Sequence, residues 1–216
     1  MDDHQRRALK IILSALETEC RDSPLGNLLE GHLKVVAIHK LLGAGYSVME
    51  GSNVPDRGRV ISLERGRLRQ TLEPRPHIPA ASGSGKLKNS PDLRVWQPCR
   101  LVVELQVRSE FGSQSALFSD NLADDLDRIM RGSADAFILA ADRGIYESLR
   151  GLKADPRGRP AKHTERFEAV LPPTDQLPDS LNTLRPIQSG ELLVAAAMFQ
   201  SVAGVERVIM ASWAAA

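Results

Sequence analysis

The stretch Asp92-Leu93-Arg94-Val95-Trp96, continuing through Gln97-Pro98-Cys99 to Leu101-Val102-Val103-Glu104-Leu105-Gln106-Val107, decides how this chain is read. Its first five residues alternate as a half-buried strand does. The proline-containing triplet turns the chain, and the second run is strongly apolar, so the two runs predict an antiparallel hairpin. Immediately downstream, Ser119 to Arg131 has the pattern of a helix, with Ser119 as cap and Asp120, Asp124 and Asp125 placed early, where the helix dipole favours acid. Ala136-Phe137-Ile138-Leu139-Ala140-Ala141 predicts a buried strand, and Gly144 to Leu152 another helix. Strand, helix, strand, helix is an α/β signature: a central mixed β-sheet flanked by helices.

Upstream, Leu9, Ile12, Leu13 and Leu16 recur at helical spacing and predict an amphipathic helix over residues 5–20. A second helix is expected from Asn27 to Leu42, ended by Gly43 and Gly45. Residues 46–50 read as a short strand. Residues 51–90 are rich in glycine and proline and form a basic insertion; from Arg57 to Arg75 there are six arginines against two glutamates. It reads as a solvated loop or as a small β excursion around Val60-Ile61-Ser62-Leu63. Near the end of the chain the pattern predicts a strand at Phe167–Leu171, an apolar helix from about Gly190, and a last strand at Arg207–Met210. No internal repeat is visible.

The 216 residues are 42% hydrophobic and 25% charged, ordinary values for a globular chain, and their number fits one domain spanning 1–216. Formal net charge is only +1, so attraction to nucleic acid has to be local. Cys20 and Cys99 stand far apart, which excludes a disulfide framework and a zinc finger. The N-terminus lacks a signal-type apolar core, and the longest apolar stretch, Leu192 to Val205, is broken by Gln200 and Ser201. The expectation is a cytoplasmic protein with no membrane association.

Several chemistries drop out. Gly83-Ser84-Gly85-Lys86 resembles a phosphate loop, but Ala80 and Leu87 stand where its first glycine and its magnesium-binding hydroxyl belong. The five histidines form no metal-ligand spacing, and neither cysteine sits in a nucleophile elbow. The informative oddity is Glu104 in the middle of an apolar strand. A carboxylate buried there needs a cation or hydrogen-bond donors. Asp92 on the neighbouring strand would place a second carboxylate beside it, and Gln106 shares the face of Glu104 because the strand period is two. Two carboxylates with water and phosphate oxygens suit magnesium.

Ser90-Pro91-Asp92 followed by Glu104-Leu105-Gln106 resembles the PD-(D/E)xK nuclease superfamily, whose fold is that of many restriction enzymes and DNA repair nucleases. The resemblance covers roughly residues 27–150: a helix carrying Glu30, a strand, the hairpin, then helix and strand. It implies a restriction-endonuclease-like core with a basic loop insertion at about 51–90. It implies also that Asp92 and Glu104 bind Mg2+, with Mn2+ as a substitute, helped by the Leu105 carbonyl. Glu30 would match the acidic residue that some members contribute from the first core helix. Gln106 stands where the family usually has lysine; it cannot accept a proton as an amine can, but it can orient the attacking water.

The function so implied is metal-dependent hydrolysis of DNA phosphodiester bonds, a type II restriction enzyme acting as a homodimer being the most natural role. Residues 56–108 hold 11 Lys/Arg against 5 Asp/Glu, and a second basic run comprises Arg150, Lys153, Arg157, Arg159, Lys162 and Arg166. Both fit a phosphate footprint, with Ser109 and Gln114 as further phosphate contacts, and base-reading residues are expected in the 57–75 segment. Two alternatives remain open: a catalytically inactive DNA-binding or assembly subunit of the same fold, and a small α/β interaction protein. Residue by residue, Asp92 could simply form a turn, Glu104 could pair with Arg94 or Arg108, and Glu30 with Lys34.

Overall fold

Central to the computed structural model is β6 (Ala136–Asp142), a strand buried at every residue and covered on both faces. The structure describes residues 1–24, 28–51, 57–74, 92–109, 118–154, 162–181 and 186–215. Five helices and nine strands are defined there. They are α1 (Asp3–Asp22), α2 (Glu30–Gly43), β1 (Ser47–Gly51), β2 (Arg57–Glu64), β3 (Arg67–Pro74), β4 (Leu93–Gln97), β5 (Leu101–Arg108), α3 (Phe118–Met130), β6, α4 (Arg143–Leu149), α5 (Thr164–Val170), β7 (Ile187–Ser189), β8 (Leu192–Gln200) and β9 (Glu206–Ala214). The strands form one mixed sheet in the order β3-β2-β1-β4-β5-β6-β9-β8-β7. The α/β class with helices on a mixed sheet is therefore as expected.

Strand alternation divides the core into two layers. Val103, Leu105, Val107, Ile138, Ala140, Ala195, Ala197 and Phe199 point to one face, where α1 and α2 cover them with Leu9, Ile12, Leu13, Leu16, Leu33, Ala37 and Leu41. Phe137, Leu139, Ala141, Val194, Val208 and Met210 point to the other, against Leu122, Leu126 and Ile129 of α3 and Ile145, Tyr146 and Leu149 of α4. Removing a side chain of the size of Phe137 from water contributes roughly 1.5–3 kcal/mol. Helix α1 begins in a capping box: Asp2 accepts from the Gln5 N–H at 2.8 Å while the Gln5 side chain accepts from the Asp2 N–H at 2.9 Å.

The hairpin forms as the sequence predicts. β4 and β5 pair antiparallel with Leu93 opposite Val103 and Val95 opposite Leu101. β5 and β6 then pair in parallel, Glu104 beside Phe137 and Gln106 beside Leu139. A parallel pair needs a crossover, and α3 lies within the connection between the two strands.

Two expectations are corrected. Residues 192–200 are a strand, not a helix: the run Leu-Leu-Val-Ala-Ala-Ala-Met-Phe pairs with β9 on one side and β7 on the other, and its apolar continuity reflects helices on both faces. Phe167–Leu171 is not a strand; α5 covers Thr164–Val170 and buries Phe167 alone. In the 51–90 insertion, where a loop and a β excursion were both open, residues 57–74 form a regular two-stranded hairpin, the β excursion. The Asn27 cap, the Ser82–Gly85 run and the Gly83–Lys86 loop lie outside the described residues, as do Ser90, Pro91 and Gln114. Among the described residues no helix is long and apolar enough to cross a membrane.

Candidate metal-binding and catalytic site

Carrying the β4–β5 register back one residue sets Asp92 opposite Glu104. The half-buried Asp92 accepts a hydrogen bond from the Leu105 main-chain N–H at 2.9 Å, which fixes its carboxylate against β5. Glu104 is buried, and its carboxyl lies close enough to Asp92 for the two charges to interact. Its pKa is pushed up, first by burial and then by Asp92, against the opposing pull of Arg128. Glu30, in the first turn of α2, approaches the same place from the other side of the sheet. Burial raises its pKa and the Asp92 charge raises it further, while Arg108, Lys34 and a hydrogen bond to the Val107 main chain act in the opposite direction. Asp92 thus stands between Glu104, opposite it across the hairpin, and Glu30 at the start of α2.

Gln106 stands two residues along β5 from Glu104, and both ends of its amide are held. Nε2 donates to Asp125 Oδ2 at 2.9 Å, and Oε1 accepts from Arg108 Nη2 at 2.9 Å. Asp125 belongs to α3. Burial, with Glu104 the next cause, raises its pKa to about 7. One turn further along α3, Arg128 Nη1 bridges Glu104 Oε1 at 2.9 Å and Asp125 Oδ1 at 3.2 Å. The cation on Glu104 is therefore Arg128, not the Arg94 or Arg108 that the hairpin alone suggests; Arg108 engages Gln106.

Compared with models of protein families, with curated proteins and with solved structures, the chain has no match. Its function has to be read from these residues.

Asp125 and Arg128 escape a reading that treats the hairpin by itself. A signal for Asp125 does exist in the sequence. It falls three residues after Leu122 and four before Ile129, on the apolar stripe of α3, and it is buried there. A carboxylate on a helix's core-facing stripe needs a partner.

The donor set suits a hard divalent cation in one respect: the Asp92 charge adds to the burial that raises the pKa of Glu104 and of Glu30, and a dication would relieve that repulsion. Among the described residues no group of three or more His, Cys, Asp or Glu side chains takes up a metal-holding arrangement. Asp92 and Glu104 would therefore share an ion with main-chain, water and phosphate oxygens. Arg128 already engages one oxygen of Glu104, so a metal would meet a competing cation there.

Other candidate phosphate contacts are committed elsewhere. Ser109 donates to Asp142 Oδ2 at 2.8 Å. In the second basic run Lys153 pairs with Glu147 at 2.6 Å, Lys162 with Asp120 at 3.0 Å, and Arg166 with Asp127. Acidic groups on α3 and α4 thus neutralise much of that run; Arg157 and Arg159 lie outside the described residues.

Proposed function

We propose that this chain is a divalent-metal-dependent DNA endonuclease of the PD-(D/E)xK type, with Asp92 and Glu104 holding Mg2+ or Mn2+ and Glu30 assisting. The observation that carries the proposal is Asp92, just before β4, held against β5 and opposite the buried Glu104, with Glu30 of α2 near Asp92 and a glutamine clamped at both ends two residues along β5. The element order in which they occur, helix, strand, hairpin, helix, strand, is the order on which the resemblance rests.

The metal, when bound, supplies charge neutralisation of the phosphate and a more acidic bound water. The protein's own part is positional. Asp92 is tied to β5 through the Leu105 N–H, so the two proposed ligands keep one spacing. Asp125 and Arg108 fix which way the Gln106 amide points, leaving its second N–H and second lone pair to orient a water. Burial keeps competing water away from Glu104 and strengthens each interaction there.

The Arg128–Glu104 ion pair favours a second reading, a DNA-binding subunit of the same fold without catalysis, because a guanidinium already supplies the cation that the buried carboxylate needs. Incubating the protein with supercoiled, linear and single-stranded DNA in magnesium, manganese or chelator separates the two. Cutting that requires metal and is lost in Glu104→Ala supports the nuclease. DNA binding without cutting under any of these conditions supports the second reading. Cutting that survives Glu104→Ala contradicts the site.

A further inference from the structure

The β2–β3 hairpin extends past the sheet that anchors it. β1 pairs with β2 only from Gly58 to Ile61, whereas the β2–β3 ladder continues to Glu64 opposite Arg67. Among the described residues, 62–69 therefore form a two-stranded ribbon with no third strand, and β3 is the edge strand of the sheet. Every β3 residue except Glu73 is exposed.

Such a ribbon buries almost nothing, so its sequence is not set by core packing. At its tip Arg65 and Gly66 both have positive φ, 49° and 75°, a two-residue turn of the I′ kind. Arginine is an unusual occupant of that first position, where Asn, Asp or Gly is preferred; its backbone is strained in exchange for placing a cation at the outermost point. Pairing places Arg67 and Arg69 on one face with Ser62 and Glu64, and Leu63 with Leu68 on the other. Residues 57–74 carry five arginines against two glutamates. Arg59 pairs with Glu50 and Arg69 with Glu64, but Arg65 and Arg67 have no ion-pair partner among the described residues. This contrasts with Lys153, Lys162 and Arg166 of the second basic run, which acidic groups on α3 and α4 neutralise.

Two occupants suit an exposed edge ribbon: a second copy of the chain, pairing edge to edge, or a polyanion. Charge decides between them. Two copies would bring two arginine-rich edges together, and charged edge strands resist strand addition. A two-stranded antiparallel ribbon fits the major groove of a nucleic-acid duplex, where arginine contacts phosphates and guanine edges.

We infer that the 57–74 hairpin is a duplex-DNA-binding ribbon that reaches the groove with Arg65, Arg67 and Arg69; DNA as the partner rests on the nuclease reading. The Gly51 end of β1 lies beside the Asp92 end of β4, and the ribbon tip points away from it. From Arg57 to the tip is eight strand residues, roughly 26 Å, or about eight base pairs of duplex. The ribbon grips DNA about that far from the carboxylates.

The test measures anisotropy of a fluorescein-labelled 25-base-pair duplex in chelator, for the wild type and for Arg65→Asn/Arg67→Thr/Arg69→Thr, which keeps turn and strand propensities. Circular dichroism establishes that the variant folds. Expected is at least a ten-fold rise in Kd, with the slope of log Kd against log salt reduced by about 2–3, one unit per lost phosphate contact. Unchanged affinity and slope in a folded variant overturn the ribbon, and the nuclease reading then stands or falls on cutting alone. Conversion of a wild-type dimer to a monomer on sedimentation, with duplex affinity unchanged, also overturns it and assigns the edge to a second copy. A wild type that binds through the ribbon but cuts with no metal leaves the inference in place and overturns the nuclease.

Discussion

Arg128 Nη1 lies 2.9 Å from Glu104 Oε1, joining α3 to β5 at the one carboxylate buried in the apolar hairpin strand. That pair has two consequences. It satisfies a charge that would otherwise oppose folding, and it competes with any metal for the same oxygen.

Replacing Arg128 with methionine therefore separates the two effects. In chelator, Arg128→Met lowers Tm, because Glu104 and Asp125 lose their shared counter-charge and breaking a buried pair costs about 3–5 kcal/mol at its upper range. On addition of Mn2+, Tm rises by more than it does in the wild type, since the ion now meets an unpaired carboxylate. A manganese-dependent rise equal to or smaller than that of the wild type contradicts a shared site.

Asp125 makes stability depend on pH in a defined direction. Its pKa in the folded chain is about 7, raised from the ordinary 3.8 chiefly by burial. Between those values the folded state holds a proton that the unfolded state has lost. The stabilisation is complete below about pH 4 and is lost as pH rises through 7. Asp125→Asn removes that dependence. Measured in chelator, the variant is expected to match the wild type near pH 4 and to melt roughly 5 °C or more above it at pH 8. A variant less stable than wild type at pH 8 shows that the Arg128 and Gln106 bonds outweigh the burial penalty.

Asp142, 1% exposed at the end of β6, faces the fully buried Arg207 of β9, with 3.6 Å between Oδ1 and Nε. Neutralising one member leaves the other charged in a low-dielectric interior. Asp142→Asn should destabilise the fold by roughly 3–5 kcal/mol in urea unfolding. A loss below about 1 kcal/mol would show that the other groups around Arg207 carry its charge.

The fold was legible where a segment's period and flanks agreed. Asp92–Trp96 alternates, β5 and β6 are short apolar runs bounded by turns, and α3 has both an acidic start and an apolar stripe. Residues 192–200 misled because Leu-Leu-Val-Ala-Ala-Ala-Met-Phe has no period that separates a buried helix from a strand covered on both faces. Only its pairing with β7 and β9 decides it. At the site, Asp92, Glu104 and Gln106 were legible because one hairpin places them. Glu30 came from the resemblance. Asp125 and Arg128 reach β5 only through the α3 crossover, a contact that no local pattern encodes.

The most direct test of the account is a Mn2+ titration followed by electron paramagnetic resonance, on the wild type, Asp92→Asn and Glu104→Gln, each checked for folding by circular dichroism. The account predicts one bound ion per wild-type chain, with affinity reduced at least ten-fold in both variants, because the two carboxylates hold the same ion. Binding by the wild type that survives either substitution unchanged would contradict it, as would a wild type that binds no manganese.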